Sequence, residues 1–381
     1  MPSSAQTGDH KAHKNFRANL QLIATLLDEN IHNAVRMIER NDPSASELLR
    51  FLRRQNLDFF FGSHLAHPSL HACIPPKDRV RLEAYVHRQR ERQRKLVAEL
   101  SRLRSIFEAR SIPFILLKGP FIALRFFEGI HKRAYGDLDI LVARADLSRA
   151  QQVLREAGYS RRSRVLLGDL LTTQFTHGYD YIRPGIPIDL HWSLGAHISY
   201  RIEEESLWKT RQNFSIDGQQ YDVLSDEYVL LNLLLSFFED LDRGAGRIRS
   251  VADIYTVLRK LHKRIDWPAF FARRSRENVA DICTTILSIT LELLECQAHF
   301  PQLAQALADR THFTSNHSQN LESLIEGPHG NMRNKIWASG IYSCSRAACL
   351  GWWVISLPFR MTVHHRGTLS HFLRSHNPPK D

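Results

Sequence analysis

The sequence predicts an α+β protein, a small mixed β-sheet core embedded in a mostly helical chain. Three observations lead there. On either side of the middle third, apolar residues recur at three- and four-residue steps, the period of a helix with one buried face. Between residues 111 and 224, short apolar runs bounded by glycine and proline take over, the pattern of strands. Within Leu116–Val142, Asp137 and Asp139 stand two apart inside an apolar run. A strand puts both on one face, with Leu138 and Ile140 on the other.

Residues 1–14 are polar and are expected to be disordered. Helical patterns follow over 15–40, 44–61 and 78–110, making 15–110 an N-terminal helical region. In the last of them Leu96, Leu100, Leu103 and Phe107 form one apolar stripe, which Pro113 stops. Phe114–Leu117 reads as a short strand and Lys118-Gly119-Pro120 as a turn. Ile122, Ala123, Phe126 and Phe127 then mark a helix that leads to Gly129. Asp137–Val142 is the second strand. Asp146 is placed to cap a helix through Ala157, with Gly158 just past its end.

Gln174–Arg183 and Ile188–Leu194 flank Pro184-Gly185-Ile186-Pro187 and read as a hairpin. In its second arm Ile188, Leu190 and Trp192 share one face, and Asp189, His191 and Ser193 share the other. The polar face is a candidate site wall; Trp192 belongs to the core. These elements make 111–224 an α/β core. From Ser225 the pattern is helical again, over Tyr228–Phe238, Arg247–Leu261 and Trp267–Glu295, giving a helical domain at 225–310. The remainder, 311–381, reads as a loop over Thr311–Asn334, a C-terminal helical segment and a mobile tail beyond Ser370.

With 381 residues, 43% hydrophobic and 24% charged, the chain is long enough for a large core and more than one domain. Its formal charge of +11 points to anionic partners: nucleotide, nucleic acid, a phosphorylated substrate or an acidic membrane face. Asp78–Arg110 alone carries ten Lys/Arg against five Asp/Glu, which reads as a solvated helix face or as a binding surface. The five cysteines, odd in number and without zinc-ribbon or C-x-x-C spacing, read as reduced thiols of a cytoplasmic protein. The N-terminus lacks the apolar stretch of a secretory signal. The thirteen-residue apolar run Ala347–Phe359 is too short to span a bilayer. It reads as a buried helix ending at Pro358, or as a peripheral contact with a membrane or partner. Among the twenty histidines there is no His-Glu-x-x-His, which argues against a zinc enzyme. A GxGxxG fingerprint and a P-loop are absent too, since Lys118-Gly119 reverses the Gly-Lys order.

The order of parts is strand, Lys-Gly turn, helix, Asp-x-Asp strand, helix, then a strand with a further Asp. In this the chain resembles the nucleotidyltransferase fold of DNA polymerase beta, and more closely a bacterial branch of uncharacterised nucleotidyltransferase-like proteins. The resemblance is carried by Leu117-Lys118-Gly119, by Arg133-Ala134-Tyr135-Gly136-Asp137-Leu138-Asp139-Ile140-Leu141-Val142, by Ile188-Asp189-Leu190-His191-Trp192 and by Arg247-Ile248-Arg249-Ser250-Val251-Ala252-Asp253. It covers roughly residues 95–290. Where the wider superfamily has a Gly-Ser turn, this chain has no hydroxyl, and Lys118 offers a point charge instead. The stretch from Gly119 to Asp137 is also longer than in the smallest members.

What the resemblance implies is transfer of a nucleoside monophosphate from an NTP, ATP among them. The acceptor is named by no motif: a small molecule, a sugar phosphate or a protein hydroxyl. Asp137, Asp139 and Asp189 are the expected catalytic residues and ligands of Mg²⁺, with Mn²⁺ as the alternative ion. Lys118, Gly119 and Arg133 are expected at the nucleotide phosphates, and His191 and Asp253 as residues that touch the substrate or support the metal ligands. Each has an ordinary counterpart: an Arg pairing for Asp189, an ion pair holding the acidic strand for Arg133, a structural strand histidine for His191, and capping or pairing with Arg249 for Asp253. Two other functions stand beside this one. The first is a nucleotide-binding or scaffold protein that kept the fold and lost turnover. The second is nucleic-acid binding through the basic helix at 78–110.

Overall fold

The computed structural model describes residues 4–40, 45–162, 173–174, 176–195, 197, 199–310, 325, 337–338 and 341–342, with only the backbone described for residues 4–14. In chain order the first helices are α1 (Ser4–Leu27), α2 (Ile31–Arg40), α3 (Ala45–Arg54), α4 (Asp58–Ser63), α5 (Pro68–Ala72), α6 (Pro76–Glu108), α7 (Pro120–Phe126) and α8 (Leu147–Glu156). After them come α9 (Glu204–Lys209), α10 (Asp226–Asp242), α11 (Ile248–Leu261), α12 (Trp267–Arg276), α13 (Ala280–Leu293) and α14 (Pro301–Ala308). The strands are β1 (Phe114–Leu116), β2 (Leu138–Val142), β3 (Ser160–Arg161), β4 (Gly178–Arg183), β5 (Ile186–His191), β6 (Gln212–Ile216) and β7 (Gln219–Val223). They fall into two compact units. One holds the chain up to Arg94 with Pro120–Tyr135 and Ser225–Tyr342; the other holds Lys95–Gly119 with Gly136–Leu224.

The first unit is helical. At its centre α10 packs on both α11 and α13, and α10 and α13 are apolar on nearly every side, as wholly buried helices must be. Three stretches expected as continuous helices each break in two. Glu29 lies at φ 58°, Asn56 at 56° and Asn278 at 58°, the left-handed region that ends a helix. At the first break the Asn30 side chain accepts the Asn33 N–H at 3.1 Å and starts α2 afresh. Hydrophobic period does not see such breaks, because the apolar positions resume in phase. Residues 4–14, expected to be disordered, form the first turns of α1. Ala5, Gln6, Lys11 and Ala12 favour helix without supplying any apolar stripe, which is why the sequence read as polar only.

A buried ion pair of this unit joins Arg133 to Asp253 of α11. Nε and Nη2 of Arg133 donate to the two carboxylate oxygens at 2.7 Å each, with 3% and 5% of the two side chains exposed. The Gln93 amide donates to the Arg133 carbonyl at 2.7 Å. Arg249, the partner expected for Asp253, stands 4.0 Å away and is a third exposed.

The second unit is built on a mixed sheet, seven-stranded among the described residues, in the order β3-β4-β5-β2-β1-β7-β6. Strands β2 and β5 run parallel, as do β1 and β7; the other neighbours are antiparallel. Leu96, Leu100, Leu103 and Phe107 of α6 are buried as their stripe requires, Phe107 edge-on to Phe114 of β1 at 5.5 Å. Gly158 ends α8 at φ 85°, as expected. Asp146 does not cap that helix through its side chain; Oδ1 accepts from Arg149 at 2.7 Å instead.

The hairpin turn is tighter than expected. Only Pro184 and Gly185 separate β4 from β5, with Gly185 at φ 80°. Pro187 is tolerated inside β5 because pairing with β2 begins one residue later, at Ile188. The β6–β7 hairpin was not foreseen, although Asp217-Gly218, at φ 49° and 75°, is a two-residue turn signal. Among the described residues no helix is long and apolar enough to cross a membrane. The apolar run Ala347–Phe359 and the tail beyond Ser370 lie outside the described residues, as does nearly all of Thr311–Asn334.

The buried Arg133–Asp253 pair makes a prediction. Asp253→Ala leaves a buried guanidinium uncompensated and should lower stability by about 3–5 kcal/mol in urea unfolding. Arg249→Ala, removing only a long and exposed contact, should cost less than about 1 kcal/mol. Equal losses in the two variants would contradict this account.

Candidate active site

Strand register assembles the site within the sheet unit. β2 and β5 pair in parallel so that Asp139 stands opposite Asp189. β4 pairs with β5 from the other side and sets Asp180 opposite Asp189. Residues facing each other across neighbouring strands share a sheet face, so three carboxylates form a row across three strands about 4.8 Å apart. One step along, His191 stands between Leu141 and Gly178. Asp137 precedes β2 and lies two residues before Asp139, the alternation that keeps both on one side.

The opposite face explains why the row is held so firmly. Leu138, Ile140, Ile188, Leu190, Tyr179, Tyr181 and Trp192 are all buried, with Tyr179 and Trp192 in ring contact at 4.8 Å. A slip of one residue would put aspartates into that core and apolar side chains onto the polar face.

Lys118 and Gly119 follow β1 directly. The Leu117 N–H donates to the Asp139 carbonyl at 2.9 Å, extending the β1–β2 ladder to the edge of the Lys-Gly turn. Gly119 lies at φ 65°, a conformation that glycine adopts without strain. Lys118 is half-buried.

Charge is concentrated on Asp189. Burial pushes its carboxyl well above the ordinary carboxylate range; the charges of Asp139, Asp137 and Asp180 push it further, and Lys118 pulls the other way. One oxygen each of Asp139 and Asp189 and one nitrogen of His191 lie within 4.8 Å of one another, close enough to share a metal ion. Such a donor set, negatively charged and crowded, fits a divalent cation.

Of the expected site residues, Lys118, Gly119, Asp137, Asp139, Asp189 and His191 belong to this unit. Arg133 and Asp253 belong to the helical unit, where they pair with each other. Two residues at the site were not anticipated, Asp180 and His177. His177 stacks on His191, ring centroids 5.4 Å apart and planes inclined by 22°. The signal for Asp180 was the turn: the longer loop read from the sequence sets Asp180 opposite His191, whereas the two-residue turn sets it opposite Asp189.

The family described as "Uncharacterised nucleotidyltransferase" matches residues 41–295 of this chain. Among curated proteins none matches it in sequence. Among solved structures, the solution structure of the antibiotic-resistance factor ANT(2'')-Ia is 10% identical, over 48% of this chain and 94% of that one, with a TM-score of 0.35. The crystal structure of ANT(2'')-Ia with adenylyl-2''-tobramycin is 11% identical, over 47% and 97%, with a TM-score of 0.35. An antigenic nucleotidyltransferase-like protein from Paracoccidioides brasiliensis is 17% identical, over 56% and 92%, with a TM-score of 0.33.

The crowding at Asp189 has a pH signature. A folded carboxyl that holds its proton more tightly than the unfolded one carries no ionisation cost below the ordinary carboxylate range. The cost sets in as pH rises above that range. Asp189→Asn should therefore stabilise the metal-free protein near pH 8. Near pH 4 the substitution should change little. Urea unfolding at the two pH values checks this, and a gain of equal size at both would contradict it.

Proposed function

We propose, for a chain that belongs to the uncharacterised nucleotidyltransferase family and is a transferase of that class, that it moves a nucleoside monophosphate from an NTP to an acceptor hydroxyl or phosphate with the help of Mg²⁺. The observation that carries this reading is the row made by Asp139 and Asp189 across β2 and β5, with Asp137 and Lys118 beside it. Residues distant in sequence converge on one polar face of β2, β4 and β5, whose other face is apolar.

Asp137, Asp139 and Asp189 would hold the metal, which when bound neutralises phosphate charge and polarises the reacting oxygens. Lys118 takes a phosphate of the leaving pyrophosphate as a point charge, and Gly119 lets the backbone turn closely around it. Asp189 faces the acceptor, orients its hydroxyl and takes up the proton that leaves it. The acceptor oxygen then bonds to the α-phosphorus while the bond from that phosphorus to the bridging oxygen breaks. Arg133 directs two of its N–H groups to Asp253, so Lys118 is the principal phosphate cation in this reading. His191 and Asp180 border the acidic row and complete its polar face.

A second reading rests on a different observation. Lys77, Arg81, Arg88 and Arg92 are exposed on α6 and, at four- and seven-residue steps, share one face. Such a stripe suits a nucleic-acid backbone, and retention of RNA or DNA that falls steeply with salt is its signature.

The test of the first reading is binding and turnover of ATP, GTP, CTP and UTP, with and without Mg²⁺, by wild type and by Asp137→Asn/Asp139→Asn. Metal-dependent binding should appear for at least one triphosphate. The double substitution should abolish it and reduce turnover by roughly a hundredfold or more. Lys118→Ala should weaken triphosphate binding more than it weakens metal binding. A folded wild type that binds no triphosphate under any of these conditions is a scaffold of the same fold.

A further inference from the structure

One ring beside the acidic row is held with more care than a structural histidine needs. His191 lies between the stacked ring of His177 and the backbone of Gly178. A Cβ on Gly178 would stand 3.1 Å from His191 Nδ1 and 3.3 Å from the Leu190 carbonyl, tighter than ordinary contact, so a side chain there would press on the ring. Held this way, the ring turns Nε2 toward Asp139, 3.4 Å from Oδ1.

That nitrogen is shielded from solvent and, among the described residues, has no hydrogen-bond partner; its approach to Asp139 lacks hydrogen-bond alignment. A buried polar atom without a partner is costly to fold. The cost is offset if the lone pair serves a ligand, and the atoms within reach are carboxylate oxygens of Asp139 and Asp189.

We propose that His191 is a nitrogen ligand of the metal at this site and makes it a site for a first-row transition ion, with Mn²⁺ bound more tightly than Mg²⁺. The inference rests on the metal-dependent reading above. Its chemistry is general. Mg²⁺ keeps an oxygen shell and sheds water reluctantly, so an imidazole contributes little to it. Ions from Mn²⁺ onward accept imidazole nitrogen with rising affinity. Two carboxylates and one imidazole are a mixed set that discriminates between the two kinds of ion, where carboxylates alone do so far less. The stacked His177 and the bare Gly178 act as positioning elements, since they set the direction of the lone pair.

The experiment is Mn²⁺ binding to the full chain, followed by electron paramagnetic resonance, with Mg²⁺ as competitor. Pulsed spectra report nitrogen-14 coupling to the bound ion directly. Wild type should bind Mn²⁺ and show that coupling. His177→Asn should keep the coupling in weakened form, and His191→Asn should lose it together with roughly a tenfold or greater part of the Mn²⁺-over-Mg²⁺ preference. Gly178→Ala, which crowds Nδ1, should weaken the coupling and serves if His191→Asn does not fold. Mn²⁺ bound without nitrogen coupling in wild type overturns the inference while metal-dependent transfer stands. Coupling that disappears with His177 and persists without His191 overturns it too. A folded protein that binds neither ion removes the inference and the metal-dependent reading together.

Discussion

Like charges held facing each other by strand register are the constraint on which this sheet depends. Asp139 and Asp189 are brought opposite by the parallel pairing of β2 with β5, and Asp180 by the antiparallel pairing of β4. None of these placements is favourable in itself, since carboxylates across adjacent strands repel. They persist because the same strands bury Leu138, Ile140, Ile188, Leu190 and Tyr179 on the other face. Each fully buried side chain of that size contributes roughly 1.5–3 kcal/mol. Apolar burial on one face therefore holds an electrostatic conflict on the other, and the rise of the Asp189 carboxyl is its measurable trace.

Period-two patterning made much of this legible before any coordinates. Asp137 and Asp139 could share a face only if the run around them was a strand, and Asp189 and His191 followed from the same alternation in the hairpin arm. What patterning cannot supply is register between strands. Asp180 sits in a run whose alternation was visible, but its neighbour is decided by whether the turn holds two residues or four. Pro184-Gly185 makes the shorter choice because Gly185 adopts a positive φ. His177 was invisible for the same reason, since its contact with His191 exists only across the paired strands.

Helix boundaries failed for a separate physical cause. Glu29, Asn56 and Asn278 each turn the chain through the left-handed region while the apolar stripe continues on both sides. The free energy that ends the helix is local, a single residue's φ, whereas the stripe reports long-range burial. Residues 4–14 differ in the other direction: helix formers without an apolar face read as polar and unstructured, yet they form the first turns of α1. The core helices α10 and α13 were the easiest to read, because apolarity on nearly every side leaves burial as the only outcome.

Asp253 and Asp189 show how one residue type divides between structure and chemistry. Asp253 is buried against both arms of a guanidinium at 2.7 Å, with each carboxylate oxygen matched to a donor. Its charge is answered within the protein, so it has little left to offer a ligand. Asp189 is surrounded by Asp139, Asp137 and Asp180, and the lysine that opposes them exerts the smallest influence of the group. Among the described residues, most of the charges that act on Asp189 are of its own sign. Evenly satisfied burial marks a fastening; burial among like charges marks a place that a cation from outside would complete. On this criterion the Arg133–Asp253 pair is a fastening of the helical unit, and the β2–β5 row is the part of the sheet unit with a donor set suited to a cation. The distinction rests on partners, which neither motif spacing nor composition records.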